Sequence, residues 1–166
     1  KIDFHQLFCC GECMGEYRVR TSAGAMRRQL AALERGVCQE CGVDCTAVCN
    51  TLRALPEPQR EGALRELMPK IQLYPTLVRR LVRRPTEGRC WHADHITPVY
   101  GGGGECGLDN VRTLCVVCHR LVTNRQATER AAARRKLAAT QTSSLTSLQQ
   151  TASAEPAPKN RGREQA

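Results

Sequence analysis

The sequence predicts a small α+β domain: two short strands followed by a helix, a helical insert ahead of them, and a basic C-terminal helix. Three observations lead there. Cysteines recur in x-x spaced pairs at Cys10/Cys13, Cys38/Cys41 and Cys115/Cys118. Between residues 23 and 84 the apolar residues fall at helical spacing and are interrupted by prolines. Residues 89–97 and 111–114 read as strands, separated by a loop that carries Gly101 to Gly104.

Composition narrows the class. The 166 residues suffice for one modest domain with extensions, and aromatics are only 4% of them. A core that thin usually needs disulfides or a metal to hold it. The 11 cysteines meet that need, and their x-x spacing suits two thiolates on one tetrahedral Zn²⁺ better than a disulfide framework. That spacing and the odd count place the protein in a reducing compartment, the cytosol or nucleus. The net charge of +9, from 25 Lys and Arg against 16 Asp and Glu, favours an anionic partner such as nucleic acid. No run of about 18 apolar residues is present to span a membrane. The chain starts at Lys1 rather than Met, as a piece of a longer protein would.

Taken in order, residues 1–22 form an N-terminal segment in which Cys10 and Cys13 are half of a zinc site. The other half lies upstream, or is Cys45/Cys49, or is Cys90/Cys106; free thiols in a small core read equally well. Residues 23–35 read as a helix with Met26, Leu30 and Leu33 on one face and Gly36 as its stop. Residues 37–42 read as a zinc knuckle. From 44 to 84 a helical insert carries three apolar stripes: Val48, Leu52, Leu55; then Leu64, Leu67, Met68; then Leu73, Leu77, Val78, Leu81, Val82. Pro56 and Pro58 are expected to break the first stripe and Pro69 to stop the second. Arg79, Arg80, Arg83 and Arg84 fall between the apolar positions of the third; a solvated face is the plainer reading, phosphate contact the sharper one.

Pro85 to Gly88 is expected to be a turn, and the strand 89–97 is closed by Pro98. A helix is expected from about 117 to 138, made basic by Arg125, Arg130, Arg134, Arg135 and Lys136. The domain thus runs over 23–139, and residues 140–166, rich in Thr, Ser, Gln, Ala and Pro, read as a disordered tail. Cys38, Cys41, Cys115 and Cys118 together make a four-thiolate set that selects zinc and staples the knuckle to the strand-strand-helix unit.

Within that frame sits a second set of residues. Asp94-His95-Ile96, Pro98, Gly101-Gly102, Asp109-Asn110-Val111 and Leu114-Cys115-x-x-Cys118-His119 occur in this order. Over residues 36–125 this resembles the HNH endonucleases, with His95, Asn110 and His119 as the H, N and H. The resemblance implies a ββα-metal, treble-clef-like fold with a structural four-cysteine zinc. It also implies hydrolysis of DNA phosphodiesters. His95 would be the general base, a role an imidazole suits near neutral pH. Asp94 and His119 would hold a catalytic Mg²⁺ or Mn²⁺, and Asn110 would pin the loop beside the base. Arg120, Arg125, Arg130 and Arg134 are the candidate DNA contacts.

FCCGEC, LERGVCQECGV and WHADHITPVYGGGGECGLDNVRTLCVVCH are, in that order, similar to the C-terminal nuclease domain of annealing helicases that carry a Ran-binding-type zinc finger. That narrower resemblance implies branched or replication-fork DNA as substrate, a role in DNA repair, a nuclear location, and a Swi/Snf-type ATPase region in the same full-length protein. It also implies a sliding clamp as partner, but no clamp-binding motif is evident in residues 137–166. The alternative function is a zinc module that binds nucleic acid or protein without cutting. Asp94-His95 with His119 separates the two, because a binder does not need them.

Overall fold

The computed structural model describes residues 7–104 and 107–152, with side chains as far as residue 140. Residues as far as Thr123 form one compact unit and those from Asn124 a second. In the first, α1 (Gly11–Thr21) and α2 (Ala23–Glu34) pack together. Ser22, between them, caps α2 by accepting the Ala25 amide at 3.3 Å. The expected face of α2 holds at Leu30, which is buried, but Leu33 is 67% exposed. The helix ends one turn beyond Leu30, so Leu33 points away from the core.

The insert is helical throughout. It consists of α3 (Cys45–Ala54), α4 (Glu57–Leu67), a 3₁₀ segment Pro69–Leu73 and α5 (Pro75–Arg83). Asp44 starts α3 by accepting the Ala47 amide at 2.8 Å. Cys45, Val48, Cys49 and Leu52 are buried at i, i+3, i+4 and i+7, so two thiols join the apolar stripe. The helix breaks between Ala54 and Glu57, as Pro56 and Pro58 led one to expect, and of the two prolines only Pro58 enters the next helix. It sits in the first turn of α4, where its missing N–H would have had no helical partner. Arg60 ties the end of α3 to α5, donating to the carbonyls of Leu55 and Val82, each at 2.9 Å. Leu77, Val78 and Leu81 carry α5 into the core, while Leu73 is 70% exposed because the 3₁₀ geometry takes it off their face.

A short helix, α6 (Glu87–Cys90), replaces the expected turn and the first two residues of the expected strand. Its amides bond back to the Thr86 carbonyl, and buried Cys90 packs against the insert. The two strands, β1 (Trp91–His95) and β2 (Val111–Cys115), are antiparallel, with Trp91 opposite Cys115 and His95 opposite Val111. Buried Trp91 lies beneath the Arg27 guanidinium of α2, 3.3 Å from the ring centroid, and its carbonyl accepts from the same group at 3.0 Å. From the end of β2 the chain enters α7 (Val116–Ala152). This helix overruns the expected end at residue 138, so residues 140–152 of the expected disordered tail are helical. The stretch contains no Gly or Pro before Pro156, so no strong helix breaker stops a helix already begun. The rest of that tail, 153–166, lies outside the described residues.

Leu64 is fully buried in the core that α3, α4 and α5 share with the strands. Leu64→Ala should lower the unfolding free energy by about 2–5 kcal/mol. Urea denaturation of metal-loaded protein measures this, and an unchanged midpoint would place Leu64 outside the core.

Candidate active site and metal centre

The knuckle is built by backbone geometry. The Cys38 amide donates to the Val43 carbonyl at 2.9 Å, and the Gly42 amide to the Cys38 carbonyl at 2.8 Å. Gly42 has φ +73°, which closes the turn and which a side chain would oppose. The Gln39 amide donates to the Thr113 carbonyl of β2 at 2.9 Å, so the knuckle is held beside the strand that ends in Cys115. The first turn of α7 then brings back Cys118, whose amide points at the Cys115 sulfur at 3.3 Å.

The ligand atoms of Cys38, Cys41, Cys115 and Cys118 all lie within 4.8 Å of one another. Cys41 and Cys115 have their sulfurs 3.8 Å apart, as two thiolates about 2.3 Å from one tetrahedral ion would. The four can hold a metal ion, and soft sulfur donors favour zinc. A hydrogen bond from Cys115 draws the Cys38 thiol down to a pKa of about 4, while burial pushes Cys118 up to about 12. Metal binding needs the thiolate form, so an arriving cation releases protons from this cluster.

A second sulfur group, Cys9, Cys10 and Cys13, is grouped as closely near the start of α1. The Cys10/Cys13 pair gains Cys9, which the sequence reading passed over, with its sulfur 3.0 Å from that of Cys13. Cys45, Cys49 and Cys90 are buried in the core instead, and Cys106 lies outside the described residues.

Asp94 and His95 are the last two residues of β1, where alternation turns successive side chains to opposite faces. Asp94 stands opposite Arg112 of β2, with 3.7 Å between Oδ2 and Nε, and its Oδ1 is 3.8 Å from Nε2 of His119. Neither separation is a good hydrogen bond. Oδ2 is buried and without a hydrogen-bond partner among the described residues. Burial accordingly raises the Asp94 pKa, although the charges of His119 and Arg112 work against the rise. The Oδ1 oxygen of Asp94 and the Nε2 nitrogen of His119 form a hard, mixed donor pair that one small divalent ion can touch on both sides.

The strand-joining loop is fixed by Asn110. Its side-chain oxygen accepts the Thr97 amide at 2.7 Å, and its amide group donates to the carbonyls of Thr97 (3.1 Å) and Gly103 (3.2 Å). The Ile96 amide, just past His95, donates to the Asn110 carbonyl at 2.9 Å. Residue 103 must be glycine, because a Cβ there would run into the Thr97 carbonyl and the Asn110 amide group.

A further histidine, His92, adjoins this site. It lies two residues before Asp94, on the same face of β1, and its ring is 4.6 Å from that of His119, centroid to centroid. Burial lowers the pKa of His92, helped by the charges of His119, Arg27 and Arg80. The period of two was the signal that could have found it. Arg112 was also missed; it reaches both Asp94 and Glu40, the latter at 3.3 Å. Of the arginines expected to meet DNA, Arg120 sits over the Tyr74 ring, 5.5 Å from its centroid. Arg125, Arg130 and Arg134 are exposed on α7.

The HNH endonuclease family model matches residues 83–125, which include both strands, the Asn110 loop and the first turns of α7. The crystal structure of the human ZRANB3 HNH domain is 43% identical, with a TM-score of 0.60, and the match covers 68% of this chain and 95% of that one. This chain belongs to the HNH endonuclease family. The mouse protein "DNA annealing helicase and endonuclease ZRANB3" is 41% identical over 133 residues, or 80% of this chain. Its human counterpart is 41% identical over 78% of this chain. The chain spans 12% of the length of either protein. The described HNH domain contains no helix long and apolar enough to cross a membrane.

Two outcomes follow from this geometry. Asn110→Ala removes three hydrogen bonds from the loop, and hydrogen–deuterium exchange at the Thr97 amide should speed up while Trp91 stays protected. Unchanged protection of Thr97 would show that Asn110 does not hold the loop. Cys38→Ser/Cys115→Ser should lower bound zinc, read by atomic absorption, and lower the melting temperature, since metal binding at such a site contributes directly to folding. Full zinc content in that variant would place the metal elsewhere.

Proposed function

We propose that this chain is a metal-dependent endonuclease domain that hydrolyses DNA phosphodiester bonds. The observation that carries the reading is Asp94 facing His119 with a buried, unpartnered carboxylate oxygen, beside His95 and its pinned loop. A pure binding module has no use for a buried carboxylate whose contacts to Arg112 and His119 are too long for good hydrogen bonds, since burying it costs stability.

The roles follow from position. Asp94 and His119 would hold Mg²⁺ or Mn²⁺, which supplies positive charge to the phosphate and the leaving oxygen. His95, at the end of β1, accepts the proton of the attacking water on its imidazole. Asn110 keeps the backbone on either side of Ile96 and Thr97 still, so the base does not wander from the phosphate. Arg112 screens the Asp94 carboxylate against protonation. Cys38, Cys41, Cys115 and Cys118 would hold structural zinc, and because His119 follows Cys118 directly, fixing Cys118 would also orient one donor of the catalytic pair.

The relatives' name, DNA annealing helicase and endonuclease, supports extending the proposal. The substrate is branched or forked DNA met during repair in the nucleus. A Swi/Snf-type ATPase region of a longer protein would deliver the domain there.

Purified protein with labelled duplex and forked DNA tests this. Cleavage should need Mg²⁺ or Mn²⁺, and His95→Ala should lose at least about 100-fold in rate with zinc content intact. Wild-type cleavage by His95→Ala would overturn the mechanism. DNA binding without cleavage by the unaltered chain would favour the binding module.

A further inference from the structure

Helix α5 separates its residues sharply. Leu77, Val78 and Leu81 are buried, while Arg79, Arg80, Arg83 and the capping Arg84 are exposed. Together with Thr76 and Arg89 these arginines line a concavity of about 680 Å³. Arg89 is partly buried and donates from Nη1 to the carbonyls of Arg80 (3.1 Å) and Arg84 (3.4 Å), which fixes the end of α5 against α6. The other four guanidinium groups have no such structural task. None of the five forms an ion pair among the described residues.

Such an arrangement opposes itself. Arg79 and Arg83, and likewise Arg80 and Arg84, stand four residues apart, where like charges repel. The helix dipole favours cations in the last turn by about 0.3–1 kcal/mol each. That accounts for one or two arginines in this position but does not call for a concave surface lined by five. An anion filling the concavity would relieve the repulsion. A polyanion would do so for all of them together.

The position of the concavity indicates which polyanion. Helix α6 joins its Arg89 wall to β1 without a break, and β1 carries His92, Asp94 and His95. Arg80 is near enough for its charge to be felt at His92, whose ring lies against that of His119.

We propose that Arg79, Arg80, Arg83 and Arg84 of the helical insert, with Arg89 behind them, form a track for the DNA phosphate backbone that leads to the Asp94–His95–His119 site. The direction of the track rests on the nuclease reading; the binding does not. On this account the insert orients substrate by phosphate contacts, which position the duplex without reading its sequence.

The test is fluorescence anisotropy with a labelled DNA duplex over a range of salt, in the full chain carrying His95→Ala and without added Mg²⁺ or Mn²⁺. Arg79→Gln/Arg83→Gln should bind several-fold more weakly, and its plot of log affinity against log salt should be shallower by about two, one counterion-releasing contact per arginine. Arg18→Gln/Arg28→Gln removes the same charge from α1 and α2, which do not line the concavity, and should leave the slope within about half a unit of the parent. The proposal is overturned by an unchanged slope in the α5 variant, by an equal fall in both variants, or by a parent that shows no salt-sensitive binding. Salt-sensitive binding through α5 in a chain that never cuts DNA would leave the track standing and overturn the nuclease reading alone.

Discussion

The grouping of four sulfurs from Cys38, Cys41, Cys115 and Cys118 is the constraint on which the rest of the site depends. One pair comes from a knuckle after α2, the other from the junction of β2 and α7, and the entire insert lies between them in sequence. A metal ion on these sulfurs closes a long loop at one point. It also fixes the junction from which His119 projects, so scaffold and chemistry share a turn of backbone. The polar connections around it work in the same direction. Glu34 accepts the Thr113 amide at 2.6 Å, Gln39 donates to the Thr113 carbonyl, and Arg112 reaches Glu40.

The fold therefore divides its labour by element. Two short strands present Asp94 and His95 at one end and bury Trp91 at the other. The loop that joins them has little regular structure of its own, and Asn110 gives it a fixed shape. The insert serves as core on one face of α5 and as a cationic surface on the other. The Asp94 oxygen and the Arg112 Nε facing it are among the buried polar atoms left without a hydrogen bond, and such departures gather where a protein binds or reacts.

Much of this was legible in the sequence because it rests on local spacing. The x-x cysteine pairs, the glycine loop and Asp94-His95 at the end of a strand each follow from chemistry that short-range pattern exposes. The insert's stripes were legible for the same reason at Val48, Leu52, Leu77, Val78 and Leu81. What escaped depends on context. Leu33 and Leu73 match the period but fall where an element ends or changes geometry. Helix α6 is too short to leave a periodic signal, and α7 continues through residues whose composition alone suggests a tail. Arg112 gains its meaning from β1 and β2 lying side by side, which no single window of sequence contains.

The central claim is that the sulfur-bound metal holds a working hydrolytic site in place. Its most direct test is single-turnover DNA cleavage at saturating Mg²⁺ as zinc is withdrawn stepwise and then restored, with zinc content measured at each step. The account predicts cleavage that falls in proportion to zinc bound and returns with it. Full cleavage by zinc-free protein would contradict it.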